Sequence, residues 1–269
     1  MRILSLQQTP VHEWPFQNAA ARGGTEIQTL PLLRATVDGL PPDIEALIAL
    51  SDLQGVAPHA LHGGAVALLG EVLADELALM GEVGDIPHPS RTGILLAGDL
   101  FSDPSANHRG ASGDVRSVWS AFAAQFRWVA GVAGNHDTFG SSRERERFIQ
   151  HPGIHLLDGE VRELDGLVLG GVSFIIGRTD KPARREETDQ LERIRGVLRQ
   201  EPEILVLHEG PDAPAEEFRG NSAIREAVEA RVGMLVVCGH SHWDMPLVTL
   251  AGGAQVLNVD ARAVLLVRS

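Results

Sequence analysis

The chain has 269 residues, 43% of them hydrophobic, a formal net charge of −13 and a single cysteine, Cys238. That length suits one large domain or two small ones with ample core. The acidic balance argues against a tight, nonspecific grip on nucleic acid, although a local basic patch stays open. No apolar run reaches the roughly 18 residues of a membrane span, the opening MRILSLQQTP turns polar too early for a secretory signal, and one cysteine forms no internal disulfide, so a cytoplasmic setting is expected.

In chain order, short apolar runs predict strands over Ile3–Leu6, Ile27–Leu30, Ala46–Leu50, Gly93–Ala97, Trp128–Ala133, Leu167–Ile176, Ile204–Leu207, Met234–Val237, Gln255–Val259 and Val264–Val267. Helical periodicity falls between them. In GDVRSVWSAFAAQF the residues Val115, Val118, Trp119, Phe122 and Phe126 share one face, and in REETDQLERIRGVLRQ so do Leu191, Ile194 and Leu198. SSRERERFIQ reads as a solvated helix. Strands separated by helices predict an α/β fold, and the strand–turn–strand region Gly159–Gly177 makes its sheet mixed. The segment before Glu45 holds two candidate strands and a Pro41-Pro42 turn. It could add strands, cover the sheet or meet a partner.

The residues that follow the apolar runs carry the chemistry. Ala46–Leu50 ends in SDLQG, Gly93–Ala97 in GDLFSD, and Trp128–Ala133 in GNHDTFG. Ile204–Leu207 ends in HEGPD and Met234–Val237 in CGHSHW. Ligand sites of open α/β sheets lie beyond the carboxyl ends of their strands. One Asp after a strand is usually a cap or turn residue, and a lone His is usually a core residue. Five such endings in order point to a metal centre. Carboxylate, amide and imidazole donors suit Mn²⁺, Fe²⁺ or Zn²⁺ with five or six ligands. A closed structural zinc site would need cysteines that the chain lacks.

SDLQG, AGDL, GNHD, LHEG and GHSH, in that order, resemble the signature blocks of the calcineurin-like metallophosphoesterases, from about Ala46 to the C-terminus. The resemblance implies a four-layer α-β-β-α sandwich with mixed central sheets and a binuclear site on one rim. Residues 46–269 would form that domain. Residues 1–45 would be an N-terminal extension packed on or added to the sheet, all within one globular unit. By the same resemblance, Asp52, Gln54, Asp99 and His242 hold one divalent ion, and Asp99, Asn135, His208 and His240 hold the other. Mn²⁺ is favoured, with Fe²⁺ and Zn²⁺ as alternatives.

Gln54 stands where the family usually has His. As a weaker, harder donor it would loosen its ion and favour Mn²⁺ over Zn²⁺; otherwise it only hydrogen-bonds Asp52. His136 is expected to face the substrate and protonate the leaving group. Asp137 is a candidate to orient that ring, with a turn-stabilising role as the plainer reading. Arg109 and His108, in Ser102–Gly110, and His59 and His62, after Gln54, are candidates for substrate contact. Cys238 reads as a small core residue.

The expected function is phosphoester hydrolysis, a hydroxide between the ions attacking phosphorus in line, on a phosphodiester or nucleotide-type small molecule. The alternatives are a weakly active or inactive binding scaffold with this fold, a nuclease, or a protein phosphatase. A redox metalloprotein fits the ligands poorly.

Overall fold

In a computed structural model, the described residues are 1–62, 65–231 and 233–269, without the side chains of 58–62 and 65. Their strands form two large mixed sheets. The bigger, ten-stranded sheet runs Ile154–Leu156, Trp128–Gly131, Thr92–Leu96, Ala46–Ser51, Arg262–Arg268, Thr25–Asp38, His12–Ala19, Val56–His62, Ala65–Leu68, with Arg2–Leu6 added to Thr25–Asp38. The six-stranded sheet runs Glu160–Leu164, Leu167–Val172, Ile204–Glu209, Leu235–Gly239, Gln255–Asn258, Leu247–Thr249.

Why the central strands read as unbroken apolar runs is visible in ALIALS, where every residue is buried. Successive side chains of a strand point to opposite faces. Leu47 and Ala49 enter the core between the sheets, with Leu95, Val206, Val237 and Leu257. Ile48 and Leu50 meet Leu73, Trp119 and Phe122 of helices Leu69–Glu82 and Arg116–Gln125 on the outer face. The smaller sheet's outer face, with Leu205, Leu207, Val236 and Cys238, is closed by Ile194 of helix Glu187–Leu198 and Ile224 of helix Ser222–Glu229. Helices therefore cover both outer faces, giving the α-β-β-α layering.

Residues before Glu45 contribute strands to the larger sheet. Thr25–Asp38 runs parallel to the C-terminal strand, Ala263 opposite Leu32 and Arg268 opposite Val37. Its antiparallel partner His12–Ala19 goes on to pair Gln17 with Val56, just beyond the first motif. The Pro41-Pro42 turn is closed by the Ile44 amide on the Pro41 carbonyl at 3.2 Å.

One expected strand is cut short. Leu167–Ile176 ends as a strand at Val172, because the Ser173 hydroxyl donates to the Leu157 carbonyl and Phe174 takes a left-handed φ of 75°. The preceding hairpin turns on Asp165 and Gly166, both at positive φ, the conformation that joins twisted antiparallel strands in two residues.

Candidate metal centre

The parallel strands Ala46–Ser51, Thr92–Leu96 and Trp128–Gly131 end on one rim, and Ile204–Glu209 and Leu235–Gly239 of the facing sheet end beside them. The two sheets are tied there directly. The Asp52 amide donates to the Gly98 carbonyl at 2.9 Å, and His208 Nδ1 donates to the Ala97 carbonyl at 2.7 Å.

Glycines permit this convergence. A β-carbon on Gly134 would overlap the Asp99 carboxylate and amide, and one on Gly239 would overlap Ser51 and the Asp52 carboxylate. The motif residues also carry unusual backbone. Asp52 and Asp99 sit at φ 54° and His240 at φ 68°, the left-handed region, which costs a residue with a β-carbon about 1–2 kcal/mol. Such outliers persist where the surroundings over-determine them, and they cluster at functional sites.

Asp99, His208 and His240 each bring one potential ligand atom into a group whose members all lie within 4.8 Å of one another. The His208 and His240 rings are 5.0 Å apart. Asp52 adjoins them, its Oδ2 accepting the His240 amide at 2.9 Å and the Ser51 hydroxyl at 2.7 Å. Gln54 Nε2 lies 3.3 Å from Asp99 Oδ2, so its hydrogen-bond partner is Asp99 and not the expected Asp52. His242 stands further out, its side chain 57% exposed and its Nδ1 3.1 Å from Asp260 Oδ1.

Whether a metal fits can be judged from the polar atoms left over. Asn135 Oδ1 and His208 Nε2 are buried without a hydrogen-bond partner. His208 Nε2 does approach Asp99 Oδ2 at 3.3 Å, but without hydrogen-bond geometry. Since Nδ1 donates to the Ala97 carbonyl, Nε2 is the ring atom turned inward, and it offers a lone pair once its own proton leaves. Buried polar atoms without partners are costly, and a cation that displaces the ring proton is the partner this oxygen-and-nitrogen set suits. The residues fit a divalent ion.

Electrostatics agree. Burial pushes Asp52 up to about 8, with Asp260 and Asp99 adding to it against His208. Burial would also raise Asp99, but the His208 ring beside it draws it down to about 2. In His208 itself burial opposes charge, yet Asp99 and Asp52 outweigh it and lift the ring to about 10. Burial and the neighbouring His208 lower His240 to about 4, leaving it neutral. An arriving cation must therefore displace a proton from His208 below about pH 10 and from Asp52 below about pH 8. Affinity for Mn²⁺ should rise with pH from about 6.5 to 8, by up to tenfold per unit for each proton released. Calorimetry in buffers of different ionisation enthalpy reads that release, and a pH-independent affinity would contradict it.

Of the two roles open to Asp137, its hydrogen bonds match the plainer, structural one. Its buried carboxylate accepts the backbone amides of Asp99 at 2.9 Å, Leu100 at 2.8 Å and Gly134 at 2.8 Å. It clamps the second and third motifs together and does not orient His136. That ring has Ser112 instead, Oγ to Nδ1 at 3.0 Å, while the His136 amide donates to Asp99 Oδ1 at 2.8 Å.

Arg109 and His108 line a small recess with Gln54, Ser102 and Asn18 of the N-terminal strand. The side chains of His59 and His62 lie outside the described residues. On the other flank, a cleft of about 530 Å³ opens beside His240 and His242, lined also by Phe218, Arg219, Glu217 and Asp244. Cys238 is buried in the outer core, as expected. Asn18, Ser112 and Asp260 escaped the sequence reading. Only Asp260 left a signal, since it too follows an apolar strand.

Among solved structures, a dimetal phosphatase from Danio rerio is similar at 13% identity and a TM-score of 0.48, over 81% of this chain and 87% of that one. A 5'-nucleotidase candidate from Staphylococcus aureus gives 12% identity and 0.46, over 79% of this chain and 48% of that one. A 5'-nucleotidase precursor from Thermus thermophilus gives 15% and 0.44, over 80% and 48%. The chain thus spans about half the length of the two nucleotidase structures. No curated protein matches it. The family model for calcineurin-like phosphoesterases matches residues 47–244, the stretch that carries all five strand-end motifs, and the chain belongs to that family.

Proposed function

We propose that the protein hydrolyses phosphoesters with a pair of divalent ions, and that its substrate is a phosphodiester or nucleotide-type small molecule. The observation that carries this reading is the pair of buried polar atoms without hydrogen-bond partners, Asn135 Oδ1 and His208 Nε2, beside Asp99 and His240. Asp99, Asn135, His208 and His240 would hold one ion; Asp52, Gln54, Asp99 and His242 would hold the other. Divalent ions so placed supply Lewis acidity for phosphoryl oxygens and lower the pKa of water.

The chain's own residues do the rest. Asp99 anchors the His136 backbone, which puts that imidazole beside the centre. Ser112 meets ring Nδ1, leaving Nε2 as the atom to pass a proton to the departing alkoxide. Arg109 and His108 are suited to a phosphoryl oxygen, and the cleft beside His242 is of a size for a nucleoside-sized group. No helix among the described residues is long and apolar enough to cross a membrane.

The experiment is a panel of phosphomonoesters, phosphodiesters and nucleotides, each with Mn²⁺, Fe²⁺ and Zn²⁺. Turnover is expected with at least one metal; none on any substrate, with metal bound, would favour the scaffold instead. Within the panel, His136→Ala should lose about 10²–10⁴-fold on alkyl esters and much less on p-nitrophenyl esters, whose leaving group needs no proton. Equal losses would remove His136 as the acid.

Gln54 favours a second reading, in which one ion is held tightly and the other weakly. Its amide is a weak donor, and it already engages Asp99.

A further inference from the structure

The segment joining the last two strands lies beyond the family match, yet it grips the GHSH loop residue by residue. Asn258 Nδ2 donates to the Ser241 carbonyl at 2.8 Å. Asp260 Oδ1 lies 3.1 Å from His242 Nδ1. Arg262 Nη2 donates to the Trp243 carbonyl at 2.7 Å. Three alternate residues thus hold three consecutive ones. The device is fixed in place: Asn258 and Arg262 are buried, and Asp260 bridges to Ser51, next to the first motif. The Asn258 carboxamide also accepts the Asp260 amide at 3.2 Å, which sets the turn.

We propose that Asp260 is a positioning residue that fixes His242 as its Nδ1–H tautomer and so presents Nε2 alone as a ligand atom. A carboxylate only accepts hydrogen bonds, so the ring proton must sit on Nδ1 for the contact to form. Arg262 cannot do this, because a guanidinium accepts nothing. Its Nη2 lies 3.4 Å from Nδ1 and 3.3 Å from Nε2, equally far from both, and its short bond goes to the Trp243 carbonyl. A carboxylate behind a ligand histidine fixes ring orientation and raises donor strength, and losing one typically costs 10–100-fold in metal affinity. This device offsets the exposure of His242, whose side chain is 57% exposed.

The proposal rests on His242 being a ligand, and the test separates the two claims. ¹⁵N-histidine spectra of the metal-free protein, with the ring in its neutral form, should show His242 protonated at Nδ1. Asp260→Asn, which keeps an acceptor oxygen, should preserve that tautomer; Asp260→Leu should lose it. Mn²⁺ titration of the full chain, read by electron paramagnetic resonance, should show one of two sites weakened about 10–100-fold in Asp260→Leu and largely restored in Asp260→Asn. A wild-type ring protonated at Nε2 would overturn the proposal, as would Asp260→Leu binding both ions normally while His242→Ala does not. If His242→Ala also binds both ions normally, the ligand assignment fails and the proposal with it. Should Asp260→Leu fail to fold, the wild-type spectrum and the Asn variant still decide.

Discussion

Replacing Asp99 with Asn should lower Mn²⁺ affinity by more than about 100-fold, since removing residues that merely support ligands already costs 10–100-fold. Asp99 is the residue on which the centre converges. Its carboxylate faces His208, receives the His136 amide and the Gln54 carboxamide, and its own amide is held by Asp137. Asn keeps the shape and one acceptor oxygen, so the backbone contacts survive while the charge is lost. Removing the charge also relieves Asp52, which Asp99 helps push up to about 8. The variant should therefore stay folded in thermal or urea unfolding while failing to bind metal and to turn over. Calorimetric titration checks the first loss and the phosphoester panel the second. Unchanged affinity in a folded variant would remove Asp99 from the centre.

Gly134→Ala should destabilise the fold by about 1–3 kcal/mol or more, as overpacking of well-filled sites does, and should disable the site as well. The added methyl would occupy the space of the Asp99 carboxylate. Asp99 cannot retreat, because Asp137 ties its amide to that of Gly134 through one carboxylate oxygen. Gly196 supplies the control. It lies inside helix Glu187–Leu198, and a β-carbon there meets nothing nearer than the Arg199 side chain at 3.6 Å. Gly196→Ala should stabilise by about 0.5–1 kcal/mol, from helix propensity alone. Urea denaturation of both variants measures the contrast. If Gly134→Ala matched wild type, the tight approach of the second and third motifs would be wrong.

The candidate centre was legible because strands buried on both faces are written as unbroken apolar runs, and five such runs here stop on a polar ligand type. The same logic hid the rest of the larger sheet. His12–Ala19 carries Pro15 and Val56–His62 carries Pro58, and a proline demotes a segment as a strand. Asp137 was adjacent to His136 in sequence, but neighbours on an extended segment point opposite ways, so adjacency suggested a partnership the side chains do not make. Asp260 lacks any motif; only the folded chain brings it 18 positions back to His242.

The central claim is that Asp99, His208 and His240, with Asp52 and Asn135 beside them, form a metal centre. Anomalous scattering from crystals grown with Mn²⁺ tests it most directly. Two peaks roughly 3.5–4 Å apart with Asp99 between them are predicted, and a single peak against Asp99, His208 and His240 would select the one-tight-ion reading. No peak within coordinating distance of Asp99 and His208 would contradict the account.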